Sequence, residues 1–95
     1  MDFSWDEGKR RRVLRDHGLD FRDVKQAFDD PKQLHEYDAE HSLHEERWRM
    51  LGWLDGRVIA VVYTERSKSV QLITARYAEP REEQLFFAEF FGDPR

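Results

Sequence analysis

Arginines recur along residues 46–78, a stretch that is otherwise rich in Val, Ile, Leu and Trp. Arg47, Arg49, Arg66 and Arg76 all lie in it. The guanidinium group is planar, keeps its charge at every ordinary pH and can hold two phosphate oxygens at once. Their spacing along strands therefore indicates a phosphate-bearing ligand. Exposed strands also need polar residues to stay soluble, so a purely solvating role remains the alternative.

Two predicted turns decide which side chains share a face with these arginines. Residues 55–56 are Asp-Gly, a strong signal for a two-residue hairpin, and this turn places Arg47 opposite Thr64. A turn centred on residues 67–68 then places Thr64 opposite Gln71. Alternation puts Arg49, Val62 and Ile73 in the neighbouring row, on what we expect to be an open face.

The strand pairing at the far end of the sheet depends on the geometry of the second turn. With this register Arg76 lies opposite Ile59. At a rise of ~3.3 Å per residue, Arg76 is then roughly 20 Å from Arg66 along the strand. The two arginines would then flank a chain of phosphates instead of holding one. A slip of one residue would instead move Thr74 and Arg76 onto the open face and remove Gln71 from it. The opposite face carries the expected core residues Trp48, Met50, Ile59, Val61, Tyr63, Val70 and Leu72.

The remaining elements follow from capping residues. A short strand is predicted at residues 1–5, then a helix over 7–17 capped by Asp6 and ended by Gly18. Asp20 caps a second helix that reaches Phe28, and Pro80 begins the last one. Residues 35–45 are expected to form an irregular strand and a loop. The predicted fold is one α+β domain over residues 1–95 with the order β-α-α-β-β-β-α, in which helices pack on one face of an antiparallel sheet of about four strands.

The composition limits the function classes. The chain has 95 residues, no cysteine and a formal net charge of −4. A cytoplasmic protein without thiol chemistry is expected, with no membrane segment. The net charge argues mildly against a nucleic-acid ligand. Lys9, in a basic helix, is either a solvated residue or an RNA contact.

Histidine is the residue type suited to proton transfer near neutral pH, so His41 or His44 is the candidate, with Glu46 as a base if it is partly buried. A metal cluster of His35, His41, His44 and Glu45 is the alternative use of these side chains. Their spacing matches neither a helical site nor a zinc finger, so no metal and no cofactor is expected.

With these residues laid out, the chain resembles the BrnT toxins of bacterial type II toxin–antitoxin systems. The resemblance covers almost the whole chain. It rests on the order and spacing of "FSWDEGKRRRVLRDHGLDFRDVKQAFDD", "EHSLHEERWRMLG", "VVYTER" and "ITARYA". It implies a RelE-like fold, a metal-independent ribonuclease that blocks translation, and a BrnA antitoxin with a ribbon-helix-helix DNA-binding part. DNA would then be contacted only through the antitoxin. Positions that match the family pattern are Trp5, Asp6, Lys9, His41, Glu46, Arg47, Arg66 and Arg76.

The resemblance and the face assignment together yield the predicted site. The expected catalytic residues are His41, Glu46, Arg47, Arg66 and Arg76. The expected RNA-binding residues are Lys9, Arg49, Thr64, Gln71 and Thr74, and the expected antitoxin contacts are Trp53, Arg47 and Arg49.

Three positions depart from the family pattern. Gln71 replaces an arginine, Thr74 replaces a serine, and Phe86 replaces a tyrosine. These departures keep a second function open: a non-catalytic interaction module that binds a BrnA-like partner and co-represses its operon.

Overall fold

The computed structural model describes residues 1–92, which form an α+β fold of five strands and three α-helices. The elements are β1 Asp2–Ser4, α1 Glu7–His17, α2 Phe21–Val24, β2 Gln33–Tyr37, β3 Trp48–Leu54, β4 Arg57–Arg66, β5 Ser69–Tyr77 and α3 Pro80–Phe91. Two 3-10 turns, Lys25–Phe28 and Ala39–His41, extend α2 and follow β2. Within residues 1–92, no helix has the length and apolar character needed to cross a lipid bilayer.

The predicted caps of the helices are confirmed, because capping depends on neighbouring residues only, but α2 ends at Val24 and the chain reaches Phe28 as a 3-10 turn. The Asp6 carboxylate accepts a hydrogen bond from the Lys9 amide, and Gly18 ends α1 with φ at 73°. Asp20 caps α2 by accepting from the Arg22 amide and also binds the Arg22 guanidinium. These hydrogen bonds lower the pKa of Asp20 to about 2. Pro80 opens α3.

The sheet has the strand order β1-β5-β4-β3-β2 and is mixed. β1 runs parallel to β5, with Phe3 opposite Val70, whereas the other pairs are antiparallel. The prediction of a purely antiparallel sheet of about four strands is therefore wrong. Three alternating residues do not reveal a strand's direction, so the parallel pairing of β1 was not predictable from its sequence.

The register of the sheet changes once. The first hairpin is as predicted, with Leu54 opposite Arg57 and positive φ at both Asp55 and Gly56, as a type I′ turn requires. Thr64 also lies opposite Gln71. A bulge between Val62 and Tyr63 then shifts the pairing by one residue.

The bulge overturns part of the predicted face assignment. Val62 lies opposite Thr74 instead of Ile73, and Arg76 lies opposite Ala60 instead of Ile59. The sheet therefore keeps Gln71 beside Thr64 and also gains Thr74 and Arg76 on the arginine-bearing face. We call this face, which carries Arg47 and Arg49, the second face; the opposite one is the first face.

Helices cover both faces of the sheet, so the expectation that they pack on one face is wrong. α1 and α2 cover the first face, where Phe21, Val24, Met50, Ile59 and Val61 are fully buried. α3 crosses part of the second face. There, Leu51, Val58, Ala60 and Phe86 form a separate buried cluster with half-buried Leu34, Trp53, Ala78, Phe87 and Phe90 around it. The uncovered remainder of the second face holds the arginines.

Candidate active site

A histidine and a buried carboxylate form a pair beside the second face. The 3-10 turn after β2 places His41 Nδ1 2.7 Å from Asp38 Oδ2, and Asp38 is only 2% exposed. An ionised carboxylate accepts hydrogen bonds and donates none, so Nδ1 carries the hydrogen in this pair. The lone pair of the neutral ring is then on Nε2, the nitrogen that acts as a base.

The loop that carries this pair is tied to the sheet by backbone contacts. The Asp38 amide donates to the Arg47 carbonyl at 2.9 Å, and the Ser42 hydroxyl donates to the Asp38 carbonyl at 2.7 Å. The Thr64 hydroxyl donates to the Glu46 carbonyl at 2.8 Å. These bonds fix the turn that orients the imidazole ring.

Two cavities meet at His41. One, of about 240 Å³, is lined by His17, Asp38, Glu40, His41, Arg49, Ala60, Val62, Thr74 and Arg76. The other, of about 310 Å³, is lined by Glu40, His41, Leu43, His44, Glu45 and Arg47. His41 therefore lies between a cavity with two arginines and a cavity with one.

The arginines of the first cavity are held by carboxylates. Arg76 binds Glu82 of α3 through two parallel contacts, 2.8 and 3.1 Å long. Arg49 donates to Glu36 at 3.0 Å and has Asp38 Oδ1 at 3.7 Å and Glu82 Oε2 at 3.9 Å. The Arg76 hydrogen bonds are the main cause that lowers the pKa of Glu82, and the bond to Glu36 raises the pKa of Arg49. The guanidinium groups are thus fixed in place.

A single carboxylate holds the other two arginines. Glu45 accepts from Arg66 at 2.8 Å and from Arg47 at 3.4 Å, and the Arg66 side chain is 58% exposed. Within residues 1–92, the buried Nε atoms of Arg47 and Arg49 have no hydrogen-bond partner. An unsatisfied buried donor is costly, so each Nε–H is a hydrogen-bond donor that the fold leaves unpaired at a cost in stability.

Four predicted residues contribute less to this site than the sequence suggests. Thr64 is buried and its hydroxyl is engaged, so it serves the fold and is closed to RNA. Glu46 is exposed, which removes the condition for its role as a base. Lys9 lies in the first turn of α1 and lines neither cavity. The sequence predicts Trp53 on an open face; instead its ring stacks on Phe86 at 5.9 Å under α3.

The structure also places the three residues that depart from the family pattern. Thr74 and Arg76 line the first cavity, a consequence of the bulge. Gln71 pairs with Thr64 near the other end, and its buried Oε1 has no partner within the described chain. Phe86 is fully buried against Trp53 and lines neither cavity, so a phenol at its position is not required to explain the site.

Sequence reasoning missed Asp38 and Glu45 as acidic partners; it allowed that Arg76 holds an acidic helix residue, but it did not single out Glu82. Asp38 precedes His41 by three residues, a spacing that brings two side chains together on a turn. Glu82 stands three residues after Glu79, which is a capping-box spacing. Both signals were present, but only the tertiary structure brings the carboxylates to the arginines.

One group of side chains has the composition of a metal site. Asp38, Glu40 and His41 offer ligand atoms within 4.8 Å of one another. The group differs from the histidine cluster that the sequence raises as an alternative, since His35 instead binds the Tyr63 hydroxyl at 2.7 Å through Nδ1. Asp38 in this group binds His41 and is also near Arg49.

Comparison with known proteins supplies the family. The family model described as a ribonuclease toxin, BrnT, of type II toxin–antitoxin systems matches residues 5–82, most of the chain. The chain belongs to the BrnT toxin family. No match was found among curated proteins. BrnT membership supports ribonuclease activity and implies an antitoxin partner. The match includes His41, all four arginines and Glu82, which means that both cavities lie within the family region.

Proposed function

We propose that this BrnT-family chain is a metal-independent endoribonuclease, with His41 as the general base and the arginines of the second face as phosphate ligands. The observation that carries the proposal is the buried Asp38 carboxylate, which orients His41 between two cavities walled by arginines. Cutting RNA without a metal requires a proton acceptor and cations fixed near the phosphate, and this site has both.

The proposed reaction uses the 2′-hydroxyl of RNA as the nucleophile. Nε2 of His41 takes the proton of the 2′-hydroxyl, and the oxygen of that hydroxyl bonds to the adjacent phosphorus. The bond from phosphorus to the 5′ oxygen breaks, leaving a 2′,3′-cyclic phosphate, and the departing oxygen takes a proton from water. Arg49 and Arg76 stabilise the charge that develops on the phosphate oxygens. DNA lacks the attacking hydroxyl and would not be cut.

Arg47 and Arg66 hold the phosphates that flank the cut. They lie on the other side of His41, where, among residues 1–92, Glu45 is their one ion-pair partner. Thr74 contributes a hydroxyl to the first cavity, while Lys9 and Gln71 are peripheral RNA contacts at most. Glu46, exposed beside Arg47, is proposed to position the strand and not to act as the base.

The proposed partner is a BrnA-like antitoxin with a ribbon-helix-helix DNA-binding part, acting in the cytoplasm. Acidic side chains of such a protein would pair with Arg47 and Arg49, in competition with RNA. DNA would be contacted only by the antitoxin. The family supports an antitoxin, and these details extend that support.

A second candidate function is favoured by the carboxylates that already pair with all four arginines. A chain whose phosphate ligands are neutralised in this way would serve as an interaction module. It would bind its BrnA-like partner and co-repress the operon without cutting RNA.

The test is cleavage of an RNA oligonucleotide labelled at both ends by the purified chain. We expect cleavage in the presence of EDTA, a 2′,3′-cyclic phosphate on the product, and no cut where the attacking nucleotide is 2′-deoxy. His41→Ala and Arg76→Ala should each lower the rate by roughly 100-fold or more. Arg15→Ala, an exposed arginine paired with Asp16 on α1, is the matched control and should cut like the parent.

Each other outcome rejects a stated part of the proposal. Loss of cleavage in EDTA would assign the reaction to a metal at Asp38, Glu40 and His41. Absence of cleavage, together with tight binding to the antitoxin and its operator, would establish the interaction module. Equal losses for Arg15→Ala and Arg76→Ala would mean that general charge, and not the cavity, determines the rate.

A further inference from the structure

The outer edge of the sheet at β2 is open. β2 pairs with β3 on one side, and within residues 1–92 no strand pairs with its other side. Proteins commonly protect such edges with lysine, proline or a bulge inside the strand. The β2 sequence, QLHEY, contains neither lysine nor proline, and its five residues pair with β3 without a register shift.

A groove with an apolar floor runs between this edge and α3. Its cavity has a volume of about 310 Å³ and is lined by Leu34, His35, Glu36, Leu51, Leu85 and Glu89. Leu34 and Leu51 are directly opposite each other across β2 and β3, so their side chains form one apolar surface. Leu85 is 56% exposed on the facing side of α3. The groove is wide enough for an aliphatic side chain.

The rim of the groove is acidic. Glu36 lies on the strand and Glu89 on the helix, and both are exposed. Glu36 accepts a hydrogen bond from Arg49. Glu89 lies on the opposite side of the groove. A segment that fits would therefore be extended, with an aliphatic side chain directed into the groove and lysine or arginine beside it.

β2 also leads directly to the candidate active site. Tyr37 is its last residue, Asp38 follows, and the turn that contains His41 comes next. A strand added along β2 would continue past Tyr37 toward the cavity of His41 and Arg49. The basic part of the segment would dock at the edge, and the acidic side chains proposed to pair with Arg49 would follow it along the same chain and block RNA.

We propose that the antitoxin of this chain docks by adding an extended, basic segment to the edge of β2, with an aliphatic side chain between Leu34 and Leu85. Backbone hydrogen bonds of the added strand would supply affinity, and the groove would supply specificity. The inference rests on the antitoxin implied by the family. It does not require that His41 perform catalysis.

The experiment measures binding of the purified BrnA-like antitoxin of this chain, by calorimetry and hydrogen exchange. All chains carry His41→Ala so that they can be produced without toxicity, and affinities are compared with that parent. Leu85→Glu and Glu89→Lys should each weaken binding at least 10-fold. Amide exchange of residues 33–37 should slow in the complex. Leu14→Glu, a 40% exposed leucine on α1, is the matched control and should bind like the parent.

Two results would overturn the inference. One is affinity within about threefold of the parent for both groove variants, with residues 33–37 unprotected; the antitoxin would then bind elsewhere. The other is a dimer of the chain alone that Leu85→Glu dissociates while antitoxin affinity is unchanged, which would assign the groove to a second copy. Because binding is measured without catalysis, a chain that docks here but never cuts RNA would reject the proposed ribonuclease and leave this inference intact.

Discussion

The two faces of the sheet are built from the same strands but differ in what covers them. On the first face, α1 and α2 close an apolar core that includes Phe21, Met50 and Ile59, none of them exposed. On the second face α3 closes only one end, and the other end holds arginines paired with carboxylates. Because side chains alternate along a strand, the first face stabilises the fold while the second face is available for ligands.

The second face is itself divided by the strength of its ion pairs. Arg76 is fixed by Glu82, which is 8% exposed and also accepts a hydrogen bond from the Glu79 amide. Arg47 and Arg66 share Glu45 near the surface. Ion pairs that are partly buried and bidentate resist exchange, whereas exposed ones contribute little. RNA is therefore expected to displace Glu45 more readily than Glu82.

The largest loss of folding stability is expected for a substitution on the first face. Phe21→Ala removes a fully buried ring that packs edge-to-face on Trp5 at 6.0 Å, and should lower the free energy of unfolding by about 3–5 kcal/mol. Denaturant unfolding measures it. Phe91→Ala, at the 53% exposed end of the aromatic cluster on α3, is the control and should cost less than about 1.5 kcal/mol. Equal losses would remove the distinction between the faces.

The next effect concerns the fixed pair on the second face. Glu82→Gln should destabilise the fold by about 1–3 kcal/mol at neutral pH, because it leaves the Arg76 guanidinium without its counter-charge. The pKa of Glu82 is lowered, so its stabilisation is present above the ordinary glutamate value and is lost as pH falls through the lowered one. The deficit of the variant should thus shrink in acid. A deficit that grows toward low pH would contradict this assignment, and Glu83→Gln serves as a half-exposed control.

The third effect concerns the hairpin that assigns side chains to faces. Gly56→Val should cost about 1–2 kcal/mol, since Gly56 has φ at 79° and a β-branched residue resists that conformation. Ser67 also has a positive φ, of 54°, in the second turn. Ser67→Gly should therefore leave stability unchanged or raise it. A thermal midpoint unaffected by Gly56→Val would be inconsistent with a type I′ turn.

The smallest effect on stability is expected at the exposed pair. Glu45→Gln should change the free energy of unfolding by less than about 0.5 kcal/mol, because surface ion pairs contribute little. It should nevertheless raise affinity for a 2′-deoxy, uncleavable oligonucleotide several-fold by releasing Arg47 and Arg66. Fluorescence anisotropy at fixed salt measures the affinity. Unchanged or weaker binding would show that these two arginines do not contact the phosphates.

Local features of the fold were predictable from the sequence. Asp6, Gly18, Asp20 and Pro80 set the helix ends, and the Asp-Gly turn set the first hairpin, with Leu54 opposite Arg57. Each depends on backbone preferences and hydrogen bonds within a few residues, which act before any distant contact forms. Residue type and strand alternation had already selected the strand arginines and His41, and the family resemblance matched several of the same positions.

Only the tertiary structure decided the features that depend on distant contacts. The bulge at Val62 and Tyr63 brings Thr74 and Arg76 to the second face, because two strands must fit both a core and a twisted partner. The aromatic residues of α3 bury Trp53 on that face, and its Glu82 reaches Arg76. Period-two alternation cannot locate a bulge, and an amphipathic helix has an apolar side without specifying which face it covers. The packing of the core determines both, because all strands and helices must fit one another in the same arrangement.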